Sequence, residues 1–176
     1  MDAGTGDTAV AGGSDPLTQL RDHNREVMRI FHSYIERIDQ EPEVNLGALG
    51  AFLREELLPH MHAEELHLCP VLDPILREHG RPTAAMGVEH EFISRAIHVI
   101  EDRILSYEME HSGAQRLGIR REISYLLVAL DALIRVQLEK ENRIYAPLLS
   151  EHLDPSELRR VFDDIRRREL TEALAG

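Results

Sequence analysis

The chain has 176 residues, enough for one domain with a sizeable core that needs neither disulfides nor a metal simply to fold. Its 32 acidic and 20 basic residues give a net charge of -12, which argues against nucleic-acid binding because that function needs a basic face. Cys69 is the only cysteine, so an internal disulfide, a cysteine-based zinc site and an iron–sulfur cluster held by this chain alone are all excluded.

The same features indicate a cellular compartment. The sequence has neither a signal peptide nor an apolar run of about 20 residues that would cross a bilayer. Together with the single cysteine, this predicts a cytoplasmic protein that does not bind membranes.

Apolar residues recur at helical spacing along most of the chain, and no segment alternates with the period of two that a strand requires. Residues 1–14 are poor in apolar side chains and are predicted to be a disordered leader. Asp15 followed by Pro16 is typical of a helix start. Prolines at positions 70 and 74 are expected to bend or break the chain that follows the second helix. The predicted helices span about residues 16–40, 44–69, 83–110, 114–149 and 155–173.

Four long helices joined by short loops predict an all-α fold, an up-down-up-down antiparallel four-helix bundle over residues 15–150. The short fifth helix, within residues 151–176, has apolar residues on one side and arginines on the other. It is predicted to pack on the end of the bundle, with a dimer contact as the alternative.

One motif occurs twice. His60 and Glu64 are four residues apart, so on a helix they differ by about 40° and project from the same face. Gln137 and Glu141 have the same spacing, and each glutamate is followed by a proline six residues later. Only the leading histidine of the first copy has become glutamine in the second.

All four predicted long helices carry a possible metal ligand on the apolar stripe. These residues are His23 on the first helix, His60 and Glu64 on the second, His90 on the third and Glu141 on the fourth. Ionisable groups are costly in a bundle core unless they are paired, hydrogen-bonded or bound to a metal. A shared metal site is therefore predicted, with a polar network inside an ordinary bundle as the alternative.

These residues resemble the hemerythrin-like HHE cation-binding domain over about residues 15–150. That family is a four-helix bundle with a non-haem di-iron site, which takes one histidine from each of helices 1 and 3 and a His-x-x-x-Glu pair from each of helices 2 and 4. The resemblance implies that His23, His60, Glu64, His90 and Glu141 are ligands. It also implies that the two carboxylates bridge the irons.

The sequence departs from the family pattern at three positions. Gln137 replaces the histidine expected on helix 4, and an amide oxygen is a poorer iron ligand than an imidazole. Met86 stands four residues before His90, where oxygen-carrying hemerythrins have another histidine. Glu26 lies about 60° around the helix from His23, so it is hypothesised to supply a compensating carboxylate; the alternative is a surface position.

Imidazoles and carboxylates together suit iron, as a di-iron or a mononuclear site, and less specifically zinc or manganese. The predicted function is to bind, sense or react with oxygen, peroxide or nitric oxide, or to handle iron. Two alternatives are an oxidase- or peroxidase-type enzyme and a metal-poor bundle that serves as an interaction module. The expected partner is a small diatomic ligand or peroxide, and the protein is expected to be a monomer or a homodimer.

Overall fold

The computed structural model describes residues 15–41, 44–80 and 82–173, which fold into helices and contain no strand. The all-helical prediction is confirmed. The predicted leader, residues 1–14, lies outside the described residues.

The first helix, α1 (Pro16–Gln40), begins and ends where the sequence predicts. The Asp15 carboxylate accepts a hydrogen bond of 3.2 Å from the backbone N–H of Thr18, which caps the helix start. Proline at the first helical position loses nothing, because its missing N–H would have no partner inside the helix.

A second column of helical pieces follows: α2 (Leu46–Phe52), a π-helical turn (Leu53–Leu57), α3 (Leu58–His67), α4 (Cys69–Leu76) and a 3-10 turn (Arg77–His79). The helix is interrupted close to Pro70, as expected, but not at Pro74. The interruption lies at Leu68, and α4 runs through both prolines. Pro70 is the second residue of α4, where a missing N–H costs little. The column ends at Gly80, whose φ of 98° suits glycine.

The remaining chain forms α5 (Pro82–Met109), α6 (Gly113–Lys140), a second π-helical turn (Glu141–Tyr145), α7 (Ala146–His152) and α8 (Pro155–Ala173). Asp154 caps α8 by accepting hydrogen bonds from the backbone N–H groups of Ser156 and Glu157, at 2.8 and 3.0 Å. The Glu157 carboxylate accepts the backbone N–H of Asp154 in return, at 3.2 Å. This reciprocal capping fixes where α8 starts.

Both π-helical turns interrupt stretches that the sequence predicts as continuous α-helix. The backbone N–H of Leu58 bonds to the carbonyl of Leu53, and that of Ala146 to the carbonyl of Glu141. A proline follows each of these N–H groups directly, at positions 59 and 147. A proline ring clashes with the carbonyl four residues earlier in an α-helix, and the wider turn relieves this clash.

The helices pack around two buried apolar clusters. One includes Phe31, Leu53, Ile97 and Leu127 and lies among α1, α2, α5 and α6. The other is at the opposite end, where α8 packs against α1, α3 and α7. Among the described residues, no helix is both long and apolar enough to cross a membrane.

Removing a large side chain from the first cluster should destabilise the fold strongly. Leu127 is fully buried, so we expect Leu127→Ala to lower the free energy of unfolding by about 2–5 kcal/mol through lost burial and a residual cavity. Urea unfolding of the metal-free protein measures this. The adjacent Val128 is 55% exposed, so Val128→Ala is the matched control and should change stability by less than about 0.5 kcal/mol. Equal effects of the two substitutions would contradict this packing.

Candidate metal centre

A layer of buried polar side chains separates the two apolar clusters. Its members, here called the central cluster, are only 1–3% exposed and come from α3, α5, α6 and the second π-helical turn: His60, Glu64, His90, Gln137 and Glu141. Along a helix, apolar residues on one side of this layer belong to one cluster and those on the other side to the other cluster. On α5, for example, Met86 before His90 belongs to the second cluster, and Ile93 after it belongs to the first. Five sequence-predicted residues are therefore brought to one level of the bundle.

Glu64 lies in the middle of the central cluster. Its Oε1 is 3.2 Å from Nε2 of His60, and its Oε2 is 3.5 Å from Nε2 of His90. Each carboxylate oxygen thus faces a different imidazole. The outer nitrogen of His90, Nδ1, lies 3.0 Å from Glu65 Oε1, so the exposed Glu65 carboxylate accepts a hydrogen bond from Nδ1–H and leaves Nε2 facing inward.

Helix α6 contributes Gln137, and the second π-helical turn contributes Glu141. Asn24 of α1, itself 2% exposed, donates a 3.0 Å hydrogen bond from its Nδ2 to Glu141 Oε2. Among the described residues, neither Glu141 Oε1 nor the amide oxygen or nitrogen of Gln137 has a hydrogen-bond partner. Buried polar atoms without partners are costly, so these atoms are arranged for something that occupies the space between them.

Mutual charge controls the ionisation of the central cluster. Burial acts to raise the pKa of Glu64, but the neighbouring His60 and His90 outweigh it and hold that pKa well below its usual range. Burial, together with the negative charge of Glu64, raises the pKa of Glu141 well above its usual range. Burial lowers the pKa of His60, yet the carboxylates of Glu64 and Glu169 reverse this and raise it well above normal. A cation between these residues would replace the protons that they share.

His23 lies at the edge of this layer, and its side chain is 32% exposed. Its ring centroid is 5.1 Å from that of His60, and its Nε2 is 3.3 Å from Oε1 of Glu169 on α8. The same Glu169 oxygen lies 2.6 Å from Nδ1 of His60. The structure therefore places His23 beside His60 but in a separate outer group with Glu169.

A small enclosed cavity adjoins the central cluster. Its polar side is formed by His60, Glu64, Gln137 and Glu141, and its other walls are apolar. Val27, Leu57, Met61, Ile93, Ile134 and Leu138 form the apolar walls. The cavity volume is about 10 Å³, which is room for about one water-sized sphere.

The donor set fits a first-row transition metal. Ligand atoms of His60, Glu64 and Glu141 all lie within 4.8 Å of one another, and so do those of His23, His60 and Glu169. Nε2 of His60 and of His90 and the two carboxylate oxygens of Glu64 face one another at 3.2 and 3.5 Å, but among the described residues none of these atoms makes a hydrogen bond. Neutral imidazole nitrogens and carboxylate oxygens that lack other partners are the groups that bind iron, zinc or manganese.

Comparison with protein families agrees with this geometry. The family model for the hemerythrin HHE cation-binding domain matches residues 15–149, which is more than half of the chain. The chain belongs to this family. Comparison with curated proteins and with solved structures gives no match. The hemerythrin match ends before α8, so Glu169 lies outside it.

The structure does not place Glu26 where the compensating-ligand hypothesis requires it. Its side chain is 54% exposed and forms an ion pair of 2.5 Å with Arg29, one turn further along α1. The hydrogen bonds from Arg29 hold the pKa of Glu26 below its usual value. Asn24, not Glu26, is the α1 residue beside His23 that points into the bundle.

We therefore expect Glu26→Leu to leave the metal content unchanged. The matched control is Arg29→Leu, because it breaks the same surface ion pair from the other side. Metal analysis of the two purified variants should give the same metal-to-protein ratio as the wild type. A loss of metal in Glu26→Leu that is absent from Arg29→Leu would show that Glu26 acts on the site after all.

Sequence reasoning missed three residues at the site. Asn24 is four residues after Leu20 and three before Val27, so it stands on the apolar stripe of α1. Glu169 stands in the same way four residues after Ile165 on α8. For Asn24 and Glu169, the sequence therefore did carry a signal, namely a polar residue on the apolar stripe of a helix. Glu65 gives no such signal, because it is exposed and acts only through its contact with His90.

Proposed function

We propose that this chain is a non-haem iron protein that binds a small ligand, namely oxygen, nitric oxide or peroxide, beside its metal centre. The observation that carries the proposal is the set of unpartnered imidazole and carboxylate atoms converging in the buried central cluster. Membership of a cation-binding family supports it. The donor types favour iron, with zinc or manganese as less specific occupants.

Within this proposal, His60, Glu64, His90 and Glu141 hold the metal. Glu64 has one oxygen facing each imidazole, which suits a carboxylate shared between two ions. Asn24 fixes the orientation of Glu141 by its hydrogen bond. Gln137 contributes at most a weakly binding amide oxygen, so the centre has one strong ligand fewer than a histidine at this position would give it.

Iron bound here would supply one-electron redox chemistry and a coordination position for a small ligand. The protein controls access to that position. The apolar walls of the adjoining cavity, with a volume of about 10 Å³, exclude larger substrates and leave room for about one water-sized sphere. The size of the cavity therefore favours a very small ligand over an organic substrate.

The test begins with protein purified after expression in iron-rich medium. We expect about one to two iron atoms per chain by metal analysis, a range set by whether a second ion binds without a histidine at position 137. Anaerobically reduced protein is then mixed separately with oxygen, nitric oxide and peroxide, and the absorption spectrum is followed.

Mixing with oxygen, nitric oxide or peroxide should change the absorption spectrum of the iron-loaded protein in at least one case. The metal-free protein should show no such change. Protein that carries no stoichiometric metal, whatever the metal offered, would overturn the proposal. Iron-loaded protein that responds to none of the three ligands would restrict the function to iron handling and reject small-ligand binding.

A further inference from the structure

The C-terminal helix α8 presents one acidic side chain to the interior of the protein. Leu158, Val161, Phe162 and Ile165 are all buried, and they pack this helix against the bundle. Glu169 follows Ile165 by four residues and so continues the same inward face. Its side chain is only 14% exposed.

Glu169 meets two of the histidines implied as ligands. Its Oε1 accepts a 2.6 Å hydrogen bond from Nδ1 of His60 and lies 3.3 Å from Nε2 of His23. The ring of His60 is therefore held between two carboxylates, with Glu169 at Nδ1 and Glu64 at Nε2. A ring held at Nδ1 can offer only Nε2 to a metal, and Nε2 points into the central cluster.

His90 has the same arrangement on the other side of Glu64. Its Nδ1 lies 3.0 Å from Glu65, and its Nε2 faces Glu64. A carboxylate on the outer nitrogen of a ligating histidine fixes the orientation of the ring and makes it a stronger ligand. The two supports differ in burial, because the Glu65 side chain is 41% exposed whereas that of Glu169 is 14% exposed.

We propose that Glu169 is a positioning residue of the metal centre, which acts by holding His60 with Nε2 directed at the metal. The inference rests on the proposed function. On this proposal, α8 contributes a residue to the metal centre, although this helix lies beyond the family match at residues 15–149. The carboxylate that joins Glu64 and Glu141 at the metal centre is then Glu169, which contacts His60, and not Glu26, which lies at the surface.

The experiment compares Co²⁺ binding by the full-length protein and three variants, using a competing chelator. Glu169→Leu removes the oxygen that accepts the hydrogen bond from His60 Nδ1, whereas Glu169→Gln keeps an amide oxygen that can accept it. Asp163→Leu is the matched control, because Asp163 is an exposed carboxylate on the same helix. Apo proteins are checked for equal helix content by circular dichroism.

We expect Glu169→Leu to bind Co²⁺ about 10- to 100-fold more weakly and to shift its visible absorption bands. Glu169→Gln should recover most of the affinity and the wild-type band positions. Asp163→Leu should match the wild type in both. A purely structural role of Glu169 would alter the thermal unfolding of the apo protein without moving the Co²⁺ bands.

Wild-type affinity and spectrum in Glu169→Leu would overturn the positioning role while leaving the proposed function intact. A Gln variant as weak as the Leu variant would also overturn it, because the acceptor would then be irrelevant. Failure of the wild type to bind Co²⁺ or iron would instead overturn the proposed function, and this inference with it.

Discussion

The Glu64→Ala variant is expected to lose most of its bound iron. Glu64 is 1% exposed and faces both His60 and His90, so its removal takes the carboxylate from between the two imidazoles. It also leaves Glu141 as the remaining buried carboxylate of the central cluster. Metal analysis after identical purification measures the loss, which should leave less than about a tenth of the wild-type iron.

Glu56→Ala is the matched control for this experiment, because Glu56 is an exposed glutamate on the same helical column. It should retain the full wild-type metal content. Both variants should keep their helical circular dichroism spectra, since the two apolar clusters hold the bundle together without metal. Full metal in Glu64→Ala would exclude the central cluster as the binding site, and loss of helix on chelation would make the metal structural.

The helices could be predicted closely from the sequence because their signals are local. Proline and capping residues mark the start of α1, and apolar spacing marks its length. The two π-helical turns could not be predicted in this way, because the chain on both sides of them keeps the pattern of a continuous helix. Pro59 and Pro147 were local signs, because a proline inside a helix clashes with the carbonyl four residues earlier, but they do not show whether a kink or a wider turn results.

For Glu26, the structure shows the surface position that the sequence left open as the alternative. An angular offset of about 60° from His23 is compatible with either the interior or the surface, so position alone could not decide. Arg29, three residues later, is a local partner for a surface ion pair. Glu169 could not be connected to His60 at all, because they are 109 residues apart and meet only through the packing of α8.

The last prediction concerns the ligand that is missing from the repeated motif. Gln137 is 3% exposed, lines the same cavity as Glu64 and Glu141, and has no partner for either amide atom. A histidine there would place an imidazole among these carboxylates. We expect Gln137→His to tighten metal binding at least about tenfold, or roughly 1.4 kcal/mol, because imidazole is a better ligand for first-row metals than an amide oxygen.

Competition titration with a chelator measures this change, and metal analysis shows whether a second ion joins the first. Gln115→His is the matched control, because it adds a histidine at an exposed position on the same helix, α6. It should leave the affinity of the centre unchanged. Equal affinities of Gln137→His and the wild type would mean that the side chain at position 137 does not reach the metal.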